Sequence, residues 1–218
     1  MNQNHRHTSP LIKVCGMCRE ANARAVAALM PDFLGFIFFE KSPRHAGDVE
    51  QLGWVQHLPK GIKKVGVFVN EAPEWVLTIV ETLGLDAVQL HGDESPEYCA
   101  AMAKKGLTVW KAFGVGAGFS FGKTAPYEPH CQYFVFDAKG PQRGGNGVPF
   151  DWNLLGQYAG QTPFLLSGGL GPEHGLLLRN AETRHPRLIG FDLNSRFETS
   201  PGLKDPGRLK LFFDEIKH

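Results

Sequence analysis

A chain of 218 residues with 42% apolar and 21% charged side chains is long enough for one sizeable core and too apolar for a disordered or fibrous protein. Its 23 basic and 22 acidic residues leave a net charge of +1, which argues against nucleic acid or an anionic membrane as partner. Every apolar run falls short of the roughly 18 residues of a membrane span, and four cysteines without framework spacing point to a reducing, cytoplasmic setting.

Met1 to Pro10, polar and without the apolar centre of a signal peptide, is expected to be a disordered tail, with residues 11–218 forming one domain. Leu11 to Cys15 reads as a short strand, and the Ala-rich stretch Glu20 to Met30 as a helix that stops at Pro31. Phe33 to Phe39 is an unbroken apolar run, hence a second buried strand, which leaves through Ser42-Pro43-Arg44. Val49 to Leu58 is predicted to be a helix, Lys63 to Val69 a strand, and Pro73 to Leu83 a helix with Pro at its start and Gly84 at its end. Ala87 to Leu90 follows as a strand, Ser95 to Lys105 as a helix opened by Ser95-Pro96, and Leu107 to Phe113 as a strand.

Gly114 to Pro129 is rich in Gly and Pro, which predicts a short or degenerate fifth helix. Tyr133 to Phe136 is the sixth strand, and the glycines of Ala138 to Pro149 suggest a mobile flap over a site. Phe150 to Tyr158 is predicted to be helical. Phe164 to Leu166 then runs into the small-residue turn Ser167-Gly168-Gly169, with Pro172 opening the next helix. Leu188 to Leu193 is the eighth strand, and Asp205 to Lys217 closes the chain as a helix. Eight strand–helix units with buried strands predict a single α/β domain of the (β/α)8 TIM-barrel class.

In such a barrel the chemistry lies at the carboxyl ends of the strands, which selects Cys15, Arg44, His91, Asp137, Asp192, Asn194 and Ser195. A cysteine in an apolar strand also packs as a small hydrophobe. A carboxylate ending a strand as apolar as Tyr-Phe-Val-Phe-Asp137 is costly unless it is paired or working. The Gly168-Gly169 turn offers bare N–H groups beside a helix start, a place for phosphate, although the same residues serve a tight connection. Asn194 and Ser195 would complete a phosphate cup from the next strand end.

Lys13-Val-Cys-Gly16, Ser42-Pro-Arg44, Val65-Gly-Val-Phe-Val-Asn70, Val88-Gln-Leu-His-Gly92, Phe136-Asp-Ala-Lys139, Gly144-Gly-Asn-Gly147, Phe150-Asp-Trp152 and Leu166-Ser-Gly-Gly-Leu170, in that order, resemble the motifs of phosphoribosylanthranilate isomerase. The resemblance implies an enzyme of tryptophan biosynthesis that needs neither metal nor organic cofactor. Such an enzyme turns N-(5-phosphoribosyl)anthranilate into 1-(2-carboxyphenylamino)-1-deoxyribulose 5-phosphate and acts as monomer or homodimer on a small phosphorylated substrate.

By resemblance Asp137 is the general acid of this Amadori rearrangement and Cys15 the general base. Arg44 holds the anthranilate carboxylate, and Gly168, Gly169, Asn194 and Ser195 hold the phosphate. Asp192 meets sugar hydroxyls or the turn itself, and His91 is either a substrate ligand or a structural hydrogen-bonding residue. The apolar approach to Asp137 is expected to keep its carboxyl protonated by desolvation, whereas Cys15 needs positive potential nearby. Two positions leave the pattern: Arg196 stands where many relatives have Gly, and Cys18 creates Cys15-Gly-Met-Cys18. A C-x-x-C also marks thioredoxin-like redox sites, but it leaves seven further strand–helix units unexplained, and zinc would need two more ligands that Cys99 and Cys131 do not supply as a pair. The nearer rival is the ketol-isomerase barrel of histidine biosynthesis, which generally uses carboxylates for both proton transfers.

Overall fold

The computed structural model describes residues 9–138, 152–179 and 185–217. Eight strands, β1 (Leu11–Cys15), β2 (Phe33–Ile37), β3 (Lys63–Phe68), β4 (Ala87–Leu90), β5 (Val109–Val115), β6 (Tyr133–Ala138), β7 (Phe164–Ser167) and β8 (Leu188–Leu193), pair in chain order as a closed barrel. All neighbouring pairs are parallel, and β8 closes on β1 with Lys13 opposite Asp192. Helices α1 (Glu20–Ala27), α2 (Pro73–Leu83), α3 (Pro96–Lys104), α4 (Gly175–Leu178) and α5 (Pro206–Lys217) lie between or after the strands.

Local chemistry explains where the true helices fall. Pro73 occupies the first turn of α2, and Gly84, at φ +59°, ends it in the left-handed region. Ser95 caps α3 by accepting from the Tyr98 N–H. Elsewhere the predicted helices shrink to 3-10 turns: Val49–Gln51 and Gly53–His57 replace one helix, Phe121–Tyr127 is the degenerate fifth, and Trp152–Gln157 stands where a helix over 150–158 is predicted. Gly53, Pro126 and Gly156 interrupt these segments, and short runs of this kind settle into i→i+3 bonding. The predicted tail falls mostly on residues 1–8 and the predicted flap on 139–149, outside the described residues.

Strand alternation splits the core in two. Phe36, Phe134, Phe136, Phe164, Phe191 and Phe212 fill the layer between barrel and helices. Phe33, Val65, Ala87, Trp110, Val135 and Leu165 plug the amino-terminal half of the bore, with Phe33 edge-on to Trp110 at 4.8 Å. An aromatic pair of that geometry adds about 1 kcal/mol beyond its buried area. Toward the carboxyl ends the bore turns polar. A hairpin absent from the predicted elements, β9 (Glu198–Ser200) and β10 (Leu203–Lys204), turns at Gly202 with φ +77° and follows β8 directly. Among the described residues no helix is long and apolar enough to cross a membrane.

Candidate active site

Leu11, Lys13 and Cys15 alternate onto the inner face of β1. Cys15 ends the strand, 4% exposed, and Gly16 breaks away at φ +82°. Gly35 on β2 makes room for it: a Cβ there would lie 2.7 Å from the Cys15 sulfur and 3.1 Å from Lys13 Cε. Lys13, fully buried, donates from Nζ to Asp192 Oδ2 at 2.8 Å, and Asp192 Oδ1 is buried with no hydrogen-bond partner among the described residues. Burial alone would pull Lys13 down, but Asp192 and Cys15 together hold its ammonium above the usual range. Burial pushes the Cys15 thiol up, and the opposing charges of Lys13 and Lys204 do not cancel it. The positive potential expected beside Cys15 is therefore present, but in the free protein the thiol form still wins. Lys13 was legible only through its register: two residues before an inward cysteine, it must share that face.

On the opposite side of the mouth stands Asp137, near the end of β6. Its carboxyl is 29% exposed and 3.5 Å from His91 Nε2, so the desolvation expected there is not met. The His91 ring is held in turn by Gln89, whose Nε2 lies 2.8 Å from His91 Nδ1. Gln89 Oε1 is buried and has no hydrogen-bond partner among the described residues. The loop carrying His91 rests on a buried ion pair, Lys111 to Glu94 at 3.1 Å, in which Glu94 also accepts from the N–H groups of Asn70 and Gly92. Lys111 further donates to the carbonyls of Leu90 and Gly92, on both sides of His91.

Gly168 and Gly169 adopt φ +88° and +69°, and a Cβ on Gly168 would lie 2.4 Å from the Ala138 amide nitrogen. Only glycine permits both the turn and that approach. The helix expected after them is reduced to a 3-10 turn, Pro172–His174, and the four-residue α4. The Gly171 N–H, moreover, donates to His174 Nδ1 at 2.9 Å. A helix end therefore adds little to this cup, and what remains for an anion is the glycine backbone. Asn194 and Ser195 follow β8 across the gap, and Arg196 pairs with Glu173 beside Gly171.

Arg44 lies across Gly16, its Cδ 3.1 Å from where a Cβ on that glycine would be. Rather than standing free, it is gripped by Glu198: Nε donates to both carboxylate oxygens at 3.0 Å and Nη2 to Oε2 at 2.8 Å. Glu198 also accepts from Lys204 Nζ, which donates to Asn194 Oδ1 at 2.7 Å. Burial alone would push Glu198 up, but the bonds from Arg44 and the charge of Lys204 hold it below the usual carboxylate range. Neither Glu198 nor Lys204 stands out in the sequence, where both read as solvated charges of a terminal loop. Cys18 does not pair with Cys15; its sulfur donates to the Gly16 carbonyl at 3.5 Å, and both cysteines are free.

A plugged parallel barrel with buried ion pairs set toward the strands' carboxyl ends is built as (β/α)8 enzymes are, and this chain is one of that class. Residues 12–215 match the family model described as N-(5'phosphoribosyl)anthranilate (PRA) isomerase. A curated relative from Parabacteroides distasonis, named N-(5'-phosphoribosyl)anthranilate isomerase, is 46% identical over 217 residues, covering 95% of this chain and 94% of the relative. The phosphoribosyl anthranilate isomerase of Thermotoga maritima superposes with a TM-score of 0.83 at 33% identity, covering 95% of this chain and 98% of that one. A phosphoribosyl anthranilate isomerase in complex with reduced 1-(o-carboxyphenylamino)-1-deoxyribulose 5-phosphate gives a TM-score of 0.79 at 31% identity over the same shares. The chain belongs to the PRA isomerase family and is an isomerase of tryptophan biosynthesis.

Proposed function

We propose that, in the isomerisation of N-(5'-phosphoribosyl)anthranilate, Asp137 serves as general acid and Cys15 as general base. The observation that carries this reading is register. Asp137 is level with Ser167, Ser167 with Asp192, and Asp192 with Lys13, so the acid and the base's neighbour share one layer across four adjacent strands. Cys15 stands one inward position above that layer.

The rearrangement requires a proton on the furanose oxygen to break its bond to C1′ and leave an imine with the anthranilate nitrogen. A base then removes the proton from C2′, and the enolamine so formed tautomerises to the ketone. Asp137 gives the first proton and Cys15 takes the second. The working state is thus a protonated carboxyl with a thiolate, a minor form when burial favours the thiol. Lys13 steadies that thiolate.

Arg44 holds the anthranilate carboxylate, and the N–H groups of Gly168 and Gly169, with Asn194 and Ser195, hold the phosphate. Asp192 Oδ1, buried and without a hydrogen-bond partner among the described residues, accepts from a sugar hydroxyl. His91 meets the substrate beside Asp137. The related structure bound to a reduced carboxyphenylamino-deoxyribulose phosphate holds a compound with all three recognised groups: carboxylate, hydroxyls and phosphate. The setting we read for the enzyme is the cytoplasm, as monomer or homodimer.

The purified chain, given N-(5'-phosphoribosyl)anthranilate and followed by loss of substrate fluorescence, is expected to turn it over. Absence of turnover would refute the reading, and undiminished turnover by Cys15→Ser would remove the base assignment.

A further inference from the structure

We propose that Glu198 is a positioning residue that sets the preference for a carboxylated aromatic amine, by clamping Arg44 along one edge of its guanidinium and leaving the other edge for the substrate. The inference rests on the reading of Arg44 as the carboxylate ligand and deepens it. A guanidinium presents two pairs of parallel donors. Glu198 takes the pair on Nε and Nη2, at 3.0 and 2.8 Å. Among the described residues Nη1 has no hydrogen-bond partner, so the Nη1 and Nη2 edge keeps its donors.

Three features make the clamp rigid. Glu198 and Lys204 are 4% and 0% exposed, so their contacts with each other and with Arg44 are shielded from water. The hairpin carrying them is tied to α1, where Asn22 accepts from the Lys204 N–H at 2.9 Å and donates to the Lys204 carbonyl at 2.8 Å. From the other side, the Arg44 N–H donates to Ser42 Oγ at 3.1 Å, and Ala46 N–H bonds the Ile37 carbonyl at the end of β2. The guanidinium stem crosses Gly16, the residue after Cys15.

The charges match the assignment. Arg44 and Lys204 against Glu198 leave one positive charge uncompensated, and one carboxylate balances it. Without Lys204 the clamp would be neutral and would draw no anion. Lys204 also holds Asn194 Oδ1, so the same hairpin joins the carboxylate end of the site to the phosphate end.

The test compares kcat/KM for N-(5'-phosphoribosyl)anthranilate with that for N-(5'-phosphoribosyl)aniline, which lacks the carboxylate. Wild type, Glu198→Gln, Arg44→Ala and the double variant are measured. Glu198→Gln is expected to lose at least tenfold on the carboxylated substrate, mainly through KM, with little change on the aniline. Arg44→Ala should abolish the preference, and adding Glu198→Gln to it should change the preference no further. Glu198→Asp, which keeps the charge but withdraws it by one methylene, should show the same selective loss and serves if the glutamine variant does not fold. Equal losses on both substrates, no loss, a gain, or an additive double variant would overturn the inference. A wild type inactive on the carboxylated substrate would instead overturn the underlying function.

Discussion

Replacing Gly35 by alanine places one methyl group between β2 and the proposed base. The new Cβ would stand 2.7 Å from the Cys15 sulfur, 3.1 Å from Cys15 Cα and 3.1 Å from Lys13 Cε. Ordinary contact begins at about 3.5 Å, so the sulfur must withdraw by about 0.8 Å, and the close Cα means that side-chain rotation alone does not relieve the clash. A reacting group misplaced by about 1 Å costs on the order of 100-fold in rate. Overpacking of this kind costs about 1–3 kcal/mol in stability, a shift of roughly 2–4 °C in Tm for each kcal/mol in a chain of this size. Gly66→Ala is the matched control. Its Cβ would also lie 2.7 Å from its neighbours, but these are Leu85 and Phe68 in the outer layer. Both variants should lose comparable Tm by circular dichroism, while only Gly35→Ala loses kcat in the fluorescence assay. A Gly35→Ala protein with kcat within threefold of wild type, or a Gly66→Ala protein equally impaired, would refute the placement of Cys15.

Three further outcomes follow from the same site. Cys15→Ser and Asp137→Asn should each lower kcat by about 100-fold or more with the fold intact, as measured by kcat beside an unchanged circular dichroism spectrum. Arg44→Ala should chiefly raise KM, because the carboxylate it holds is present in ground and transition states alike; a fall in kcat with KM unchanged would contradict that role. The pH profile of kcat/KM should stay flat through neutrality and fall on its basic side only above the roughly 8.5 of a free thiol, since a raised thiol value moves that limb upward. A basic limb at or below that value would contradict the burial of Cys15.

The barrel was legible because buried parallel strands write themselves as unbroken apolar runs, and because Pro73, Gly84, Ser95 and Pro96 punctuate the helices between them. The candidate site was legible where a polar residue interrupts such a run, as at Asp137 and Asp192, or where paired glycines force a turn, as at Gly168 and Gly169. What the sequence conceals is burial of charge. Lys13, Glu94, Lys111, Glu198 and Lys204 belong to residue types that ordinarily face water, and only the closing of distant segments turns them into the buried partners of Asp192, His91's loop and Arg44. The helical pattern over 49–58 and 150–158 misled for a related reason. Its apolar residues pack against the barrel in short 3-10 turns as well as a helix would, and nothing in the spacing separates the two.

The most direct measurement is a crystal structure of this chain with the reduced product analogue 1-(o-carboxyphenylamino)-1-deoxyribulose 5-phosphate. The account predicts the Cys15 sulfur about 3.5 Å from C2′ of the sugar chain and the Asp137 carboxyl within about 3.2 Å of the oxygen that closes the furanose ring, with the phosphate on the amides of Gly168 and Gly169. A ligand seated elsewhere on the barrel, or one that leaves either group on the far side of the sugar from the atom it is meant to serve, would contradict it.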